Sequence, residues 1–250
     1  VGVKKRAASR GSTARLAEGL HCGETMVVLL VAFEVARFAL RAMLLVLSYH
    51  FLSAASRSFR HRDPASPKQP DEWPTVTVQL PIRNEFYVAE RVIRCALALD
   101  YPKDRLRVQV LDDSDDETTA RVRALVDTLT NDGVRIELIH RDDPKAFKAG
   151  ALNAGLARCD SELAAMFDAD CVPAPDFLKR TVPHFGGPRV GCVQVRWSFL
   201  NRSHSILTRL QAIVLDGLFA IDQVARASRS LPMQFNGTNG IWRVETIREV

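Results

Sequence analysis

The stretch at residues 163–177, LAAMFDADCVPAPDF, decides the predicted fold, because an apolar run ends there in two acids. The run at 163–167 is followed by two prolines, which is typical of a short buried strand. In an open α/β sheet, ligands bind at the carboxyl ends of the strands. Asp168 and Asp170 would stand at such an end and could bind a divalent cation through their oxygens. A D-x-D pattern also forms ordinary turns, so the stretch alone leaves both interpretations open.

Strands and helices alternate on both sides of this stretch. Strands are predicted at 75–80, 107–111, 134–139, 163–167 and 190–197, and helices at 85–99, 117–130, 146–157, 176–184 and 206–227. Four successive strand and helix units predict an α/β fold with a mostly parallel sheet and helices on both faces.

A second acidic cluster follows another predicted strand. Asp112 and Asp113 come directly after the strand at 107–111. In a right-handed, doubly wound sheet this end faces the same crevice as Asp168 and Asp170. One acidic pair would hold a metal ion against a diphosphate, and the other would accept hydrogen bonds from a nucleoside. Neither a dinucleotide-binding G-x-G-x-x-G nor a phosphate-binding G-x-x-x-x-G-K-[ST] is present.

The positive charge is confined to the first part of the chain. Residues 1–70 contain 11 Lys and Arg against 4 Asp and Glu, whereas the remaining residues contain 23 against 25. This distribution argues against a nucleic-acid-binding surface on the body of the protein. The five cysteines form no C-x-x-C pair, which predicts reduced thiols in a cytosolic environment rather than a zinc site.

A long apolar segment follows the basic N-terminus. Residues 26–52 contain neither Gly nor Pro, and as a helix they would span about 40 Å, enough to cross a bilayer. Glu34, Arg37 and Arg41 would share one face of that helix and pair with each other. The segment predicts a transmembrane helix, and an amphipathic helix in the membrane interface is the alternative.

The sequence therefore predicts four regions and a location. These are a basic, disordered N-terminus at 1–24, the transmembrane helix at 25–53, a basic and Pro-rich linker at 54–74, and an α/β domain at 75–250. Basic residues directly after the apolar segment favour a cytoplasmic position for the domain, at the cell (inner or plasma) membrane. Membrane lipid is accordingly an expected partner, and nucleic acid is not.

Five motifs occur in the order found in a known family. They are VTVQLPIRNE, VQVLDDSDDET, FKAGALNAGL, FDADCVPAPDFL and FNGTNGIWR. From about residue 75 to 250, or about 70% of its length, the chain resembles family 2 glycosyltransferases, and most closely the cellulose-synthase-like and glucan/mannan-synthase-like branch. The resemblance implies a GT-A fold and inverting transfer of a sugar from a nucleotide-diphosphate sugar, such as a UDP- or GDP-sugar, to a polysaccharide or other glycan acceptor.

The resemblance also implies roles for individual residues. Asp113, assisted by Asp112, would contact the nucleoside, and Asp168 and Asp170 would bind Mg²⁺ or Mn²⁺ with the diphosphate. The whole donor set would comprise Pro81, Glu85, Asp112, Asp113, Lys148, Asp168 and Asp170, with Asn153 as a weaker candidate. The acceptor pocket would include Asn236, Gly237 and Thr238, with Trp242 in a structural role. From the residues alone, Lys148 is equally a solvated lysine at a helix start, and Gly150 and Gly155 indicate close helix packing.

One part of the family pattern falls outside the chain. The general base of the family lies in a T-E-D-like segment, followed by Q-x-x-R-W, and both are expected after Val250. Asp216 and Asp222, on the predicted helix at 206–227, are interpreted as solvated or pairing residues rather than as a substitute base, although one of them could face the cleft. We therefore expect the chain to be part of a longer protein. A non-catalytic nucleotide-sugar-binding module and a metal-dependent nucleotidyltransferase are the alternatives.

Overall fold

A computed structural model describes residues 5–61 and 67–249, with side chains from residue 26 onward. The chain divides into two compact units. One contains the residues up to His61 together with Ala220–Leu231, and the other contains the remaining residues. Residues 62–66, which belong to the predicted linker, lie outside the described residues.

The first unit is built on one long helix. Helix α1 covers Lys5–Arg60, so it begins before the predicted membrane helix and includes residues for which the sequence predicted disorder. Helix propagation explains the difference, because no Pro interrupts residues 5–60. Arg37 pairs with Glu34 at 2.5 Å, as their spacing predicted. Within the part of the chain that the structure describes, no helix has the length and hydropathy needed to cross a membrane.

The second unit contains a six-stranded sheet. The strands are β1 (Val76–Ile82), β2 (Leu106–Asp112), β3 (Ile136–His140), β4 (Leu163–Met166), β5 (Cys192–Gln194) and β6 (Gly240–Arg243). The helices along the rest of the chain are α2 (Ala89–Leu97), α3 (Glu117–Asn131), α4 (Phe147–Ala157), α5 (Phe177–Thr181), α6 (Ile206–Gly217), α7 (Val224–Ala227) and α8 (Val244–Arg248). A 3₁₀ turn at Val182–Phe185 follows α5, and a π-helical segment at Leu218–Gln223 joins α6 to α7.

The sheet order is β3-β2-β1-β4-β6-β5. The first four strands are parallel, as the alternating pattern predicted. Ile82 pairs with Asp112, and Asp112 pairs with His140, so β1, β2 and β3 end at one edge. This shared edge is what brings together side chains that are far apart in the sequence.

Burial on both sides explains why the first strand forms. Val76, Val78 and Leu80 are fully buried on one face, and Thr77 and Gln79 are buried on the other. A parallel strand covered by helices on both faces needs such a continuous buried run. Helix α2 supplies part of one layer, because its buried residues recur at the three- and four-residue spacing of one helix face.

The far end of the sheet differs from the prediction. The sequence pattern does not predict the strand at Gly240–Arg243, which lies between β4 and β5 and runs antiparallel to both. The predicted strand at 190–197 is reduced to the three residues of β5. Short strands of this kind depend on a neighbour for their hydrogen bonds, so local pattern is a weak guide to them.

Candidate active site

Four chain segments meet at the carboxyl edge of the parallel strands. They are the loops that follow β1, β2 and β4, and the segment 237–239 that precedes β6. The amide of Asn239 donates to the carbonyl of Met166 at 2.9 Å, and the amide of Asp113 donates to the carbonyl of Ile82 at 2.9 Å. These backbone bonds fix the acidic clusters predicted from the sequence at one edge.

The acids after β2 are buried and have basic partners. Asp112 is fully buried, and its Oδ2 lies 2.9 Å from Nδ1 of His140. Asp113 is 6% exposed, and its two oxygens accept from Nε and Nη2 of Arg141 at 2.7 and 2.5 Å. The bonds to Asp113 raise the pKa of Arg141 further above its usual value. A two-point pair of this kind fixes the plane of the carboxylate.

The loops after β1 and β2 are tied by a reciprocal pair. Asn84 donates from Nδ2 to Oδ1 of Asp115 at 2.8 Å and accepts from the Asp115 amide at 3.1 Å. The Asn84 amide also donates to Oγ of Ser114 at 2.9 Å. Asn84 has a φ of 56°, a left-handed conformation that asparagine tolerates better than most residues. The pair therefore holds the loop that carries Glu85 against the β2 acids.

The acids after β4 face a lysine from α4. Nζ of Lys148 contacts Oδ1 of Asp168 and donates to the carbonyl of Gly237 at 2.7 Å. The Asp168 amide donates to Oγ1 of Thr238 at 3.1 Å. Asp170 is exposed, and its backbone carbonyl accepts from Nη2 of Arg91 at 3.2 Å. Thus the predicted donor residue Lys148 and two of the predicted acceptor-pocket residues lie around Asp168.

Glu85 adds a third carboxylate to this region. Its pKa is raised by burial and by the neighbouring charges of Asp170 and Asp168. The negative charges of Asp170 and Asp168 disfavour the ionised form of the Glu85 carboxyl. Carboxylate oxygens are the ligands that Mg²⁺ and Mn²⁺ prefer. Within the described ranges no group of three or more His, Cys, Asp or Glu residues forms a ready-made metal centre, so a cation there would need further oxygens, for example from a diphosphate.

The remaining predicted residues lie at or beyond this edge. Pro81 is within β1, opposite Leu111. Asn153 is exposed on α4. The Asn236 amide donates to Oε1 of Gln194 at 2.7 Å, and the ring of Trp242 packs edge-to-face on Phe235 at 5.0 Å. The contact of Trp242 fits the structural role expected for it.

The two aspartates downstream are engaged in ion pairs. Asp216 pairs with Arg196 at 2.5 Å and Arg202 at 2.7 Å, and these bonds lower its pKa. Asp222 pairs with Arg226 at 2.8 Å in the other unit. Of the two roles expected for them, solvated or pairing, both residues take the pairing role, and the lowered pKa of Asp216 makes it a weak base.

The sequence interpretation missed the basic partners of the two acids after β2. His140 and Arg141 contact Asp112 and Asp113, although neither was a candidate. A signal was available, because both residues follow the third predicted strand and must leave the sheet at the same edge as the acids. Arg91 was missed for another reason, since nothing in the α2 sequence indicates a contact with a loop 79 residues away.

Comparison with known proteins shows which family the sequence matches. Residues 77–234 match the family model described as glycosyl transferase family 2. Over 184 residues the chain is 43% identical to probable glucomannan 4-beta-mannosyltransferase 7 of Oryza sativa subsp. japonica, and the match covers 71% of this chain and 31% of that protein.

A solved structure gives a similar result. The mannosyltransferase PcManGT from Pyrobaculum calidifontis, in complex with GDP-Man and Mn²⁺, matches with a TM-score of 0.64 at 25% identity, over 83% of this chain and 57% of that chain. The fold is therefore GT-A-like, and the chain spans only about a third of the length of the curated relative. Because the family model matches more than half of the chain, this chain belongs to glycosyltransferase family 2.

Proposed function

We propose that this chain binds GDP-mannose with Mg²⁺ or Mn²⁺ and forms the donor site of a mannosyltransferase. The observation that carries the proposal is the meeting of two acidic clusters at one sheet edge, in a chain 43% identical to a protein named as a mannosyltransferase. The solved relative that holds GDP-Man and Mn²⁺ supports the choice of nucleotide, sugar and metal. The comparisons give no support to the nucleotidyltransferase or to the non-catalytic module.

In this proposal the two clusters divide the donor between them. Asp113, held by Arg141, accepts hydrogen bonds from the nucleoside. Asp112, which is fully buried against His140 and the Ser114 amide, assists by holding this edge of the site rather than by direct contact. Lys148 lies beside Asp168, where its charge attracts phosphate oxygens. Asp168 and Asp170 would hold the cation, with Glu85 nearby. A bound cation would neutralise the charge that develops on the leaving diphosphate.

The acceptor side is proposed at Asn236, Gly237 and Thr238. This segment contacts Lys148 and Asp168 directly, so an acceptor there would lie beside the donor diphosphate. Inverting transfer to a polysaccharide needs a base that deprotonates the acceptor hydroxyl. We propose that the complete reaction belongs to a protein of the length of the curated relative, with the expected T-E-D-like segment supplying that base.

We further propose that the protein is associated with the cell membrane, with the catalytic unit on the cytoplasmic side. Helix α1 supports this proposal, because its large apolar side chains between Met26 and Leu52 are more than half exposed. Exposed apolar surface on this scale marks a membrane or protein interaction site. Co-flotation of the chain with anionic lipid vesicles tests the association. Recovery of all the protein in the fractions that contain no vesicles would contradict it.

Calorimetric titration of the chain with GDP tests the donor proposal. Binding should require Mn²⁺ or Mg²⁺, should be abolished by EDTA, and should fall at least about tenfold in Asp168→Ala and in Asp170→Ala. Asp176→Ala is the matched control, because Asp176 is an exposed carboxylate of the same segment. Undiminished GDP binding in both variants would refute the assignment. Titration with UDP in parallel tests the choice of nucleotide.

A further inference from the structure

The side chain of Arg141 contacts two parts of the site at once. It holds both oxygens of Asp113, and it also donates to the carbonyls of Lys145 at 3.2 Å and Phe147 at 3.0 Å. Asp113 follows β2, whereas Phe147 is the first residue of α4. One guanidinium group therefore joins the end of the sheet to the start of the helix that carries Lys148.

The backbone that Arg141 holds is in an unfavourable conformation. Ala146 and Phe147 have φ values of 59° and 47°, in the left-handed region that residues with a Cβ rarely adopt. Such a conformation persists only where surrounding contacts determine it. The two carbonyls that accept from Arg141 belong to Phe147 itself and to the residue before Ala146. The guanidinium is thus placed to hold this turn.

Close packing leaves little freedom in this arrangement. A Cβ added at Gly150 would lie 2.1 Å from the carbonyl oxygen of Lys145 and 2.5 Å from Nη1 of Arg141. Arg141 itself is largely buried, with 17% of its side chain exposed. A lysine could keep the charge at this position, but a single ammonium group lacks the planar, two-point geometry of a guanidinium.

We propose that Arg141 is a positioning residue that couples the nucleoside end of the donor site to its diphosphate end. It orients the Asp113 carboxylate directly, and it orients Lys148 through the backbone at the start of α4. This role rests on the proposed function, because it assigns the nucleoside to Asp113 and the phosphates to Lys148. Arg141 would thus act through other residues rather than on the reacting atoms.

The chain offers a matched control for Arg141. Arg158, directly after α4, pairs with Glu137 of β3 at 3.1 Å, so it too links α4 to the sheet, but at the opposite end of the helix. Arg158→Lys therefore shows whether loss of any arginine contact between α4 and the sheet weakens GDP binding. Arg141→Lys and Arg158→Lys are therefore compared for thermal unfolding and for GDP binding with Mn²⁺.

We expect Arg141→Lys to weaken GDP binding about tenfold, which corresponds to about 1.4 kcal/mol, and Arg158→Lys to leave it unchanged. Coupling distinguishes positioning from general stability. The Lys148→Met chain has no lysine for Arg141 to orient. In that chain, Arg141→Lys should therefore weaken GDP binding only about threefold. The proposal would be overturned if Arg141→Lys weakened GDP binding equally in the wild-type chain and in the Lys148→Met chain. It would also be overturned if the Arg141→Lys chain bound GDP as tightly as the wild-type chain.

Gly150→Ala provides a second route if Arg141→Lys does not fold. The added methyl displaces Arg141 or the Lys145 carbonyl without removing a charge, and it should also weaken GDP binding. Unchanged binding in folded Gly150→Ala, or loss of folding in both variants, would overturn the positioning role. Failure of the unmodified chain to bind GDP with Mn²⁺ would instead refute the proposed function, and the coupling role with it.

Discussion

The ammonium group of Lys148 lies between the carboxylate of Asp168 and the carbonyl of Gly237. Lys148 is on α4, Asp168 follows β4, and Gly237 precedes β6, so one side chain connects three separate elements. The position next to an acidic cluster suits two partners in turn. Lys148 neutralises Asp168 in this structure, and in the proposed donor complex it would also contact a phosphate oxygen.

Replacing Lys148 should change the binding of metal and of nucleotide in opposite directions. In Lys148→Met, Asp168 loses a competing cation, so Mn²⁺ alone should bind more tightly. GDP in the presence of saturating Mn²⁺ should bind about tenfold more weakly, because a charge beside the diphosphate is lost. Manganese binding followed by electron paramagnetic resonance and GDP binding followed by calorimetry measure the two effects.

Lys179→Met is the control for that experiment. Lys179 pairs with Asp100 at 2.6 Å, and its side chain is 43% exposed, against 40% for Lys148. The Lys179→Met substitution should leave the affinity for Mn²⁺ and the affinity for GDP unchanged. A decrease of both affinities in Lys148→Met would indicate general damage to the site and would contradict the expected opposite shifts.

Asn84 should stabilise the loop through both its side chain and its backbone conformation. Asn84→Gly loses the hydrogen bonds to Asp115 but keeps access to a φ of 56°, whereas Asn84→Ala loses both. We expect the free energy of unfolding to fall in the order wild type, Asn84→Gly, Asn84→Ala, with a difference of about 1 kcal/mol between successive variants. Thermal unfolding measures this order. Equal stability of the two variants would show that the backbone conformation is unimportant.

Gly155 should be required for the packing of α4 on the sheet. A Cβ there would lie 2.6 Å from Nε2 of Gln79 and 2.8 Å from Cδ2 of Leu111, both on buried side chains. Alanine normally stabilises a helix relative to glycine, but overpacking should dominate here and destabilise Gly155→Ala by about 1–3 kcal/mol. Denaturant unfolding measures the change.

Gly217→Ala is the corresponding control, because nothing lies within 4 Å of the added methyl on α6. It should be neutral or stabilising. If Gly155→Ala were as stable as Gly217→Ala, the close approach of α4 to Gln79 and Leu111 would not exist in solution.

Tyr101 should make the stability of the second unit sensitive to alkaline pH. Its hydroxyl donates to the carbonyl of Pro74 at 2.6 Å, and its ring packs edge-to-face on Trp73 at 5.3 Å. Burial raises its pKa well above the usual value of about 10. The unfolded chain therefore loses this proton at a lower pH than the folded chain, and the stabilising contribution present below pH 10 declines as the pH rises beyond it.

Tyr101→Phe removes both the hydrogen bond and the titrating group. It should be less stable than the wild type by about 1 kcal/mol at neutral pH, and this difference should narrow above pH 10. Tyr87→Phe is the control, because Tyr87 is 92% exposed. Urea unfolding at pH 8 and at pH 10.5 measures both effects, and a difference that stays constant with pH would contradict the assignment.

The elements and the acids of the site could be predicted from the sequence because their signals are local. Strands β1, β2 and β4 follow from short apolar runs that end at prolines or acids. Helix α3 covers nearly the predicted range, and it begins after Asp116, whose side chain accepts from the Thr118 amide at 2.9 Å. The right-handed crossover rule then places Asp112 and Asp168 at one edge. None of these steps requires knowledge of side-chain packing.

The sequence by itself thus determined the family, the parallel direction of the first four strands and the location of the acidic clusters at the strand ends. Only the tertiary structure decided which basic residue forms an ion pair with which acid. Arg141 is paired with Asp113 and Lys148 with Asp168, over separations of 28 and 20 residues, and strand register and the start of α4 set both contacts. Periodicity reports which face of an element is buried. It carries no information about a charge pair between elements, because that pair depends on where three folded segments meet.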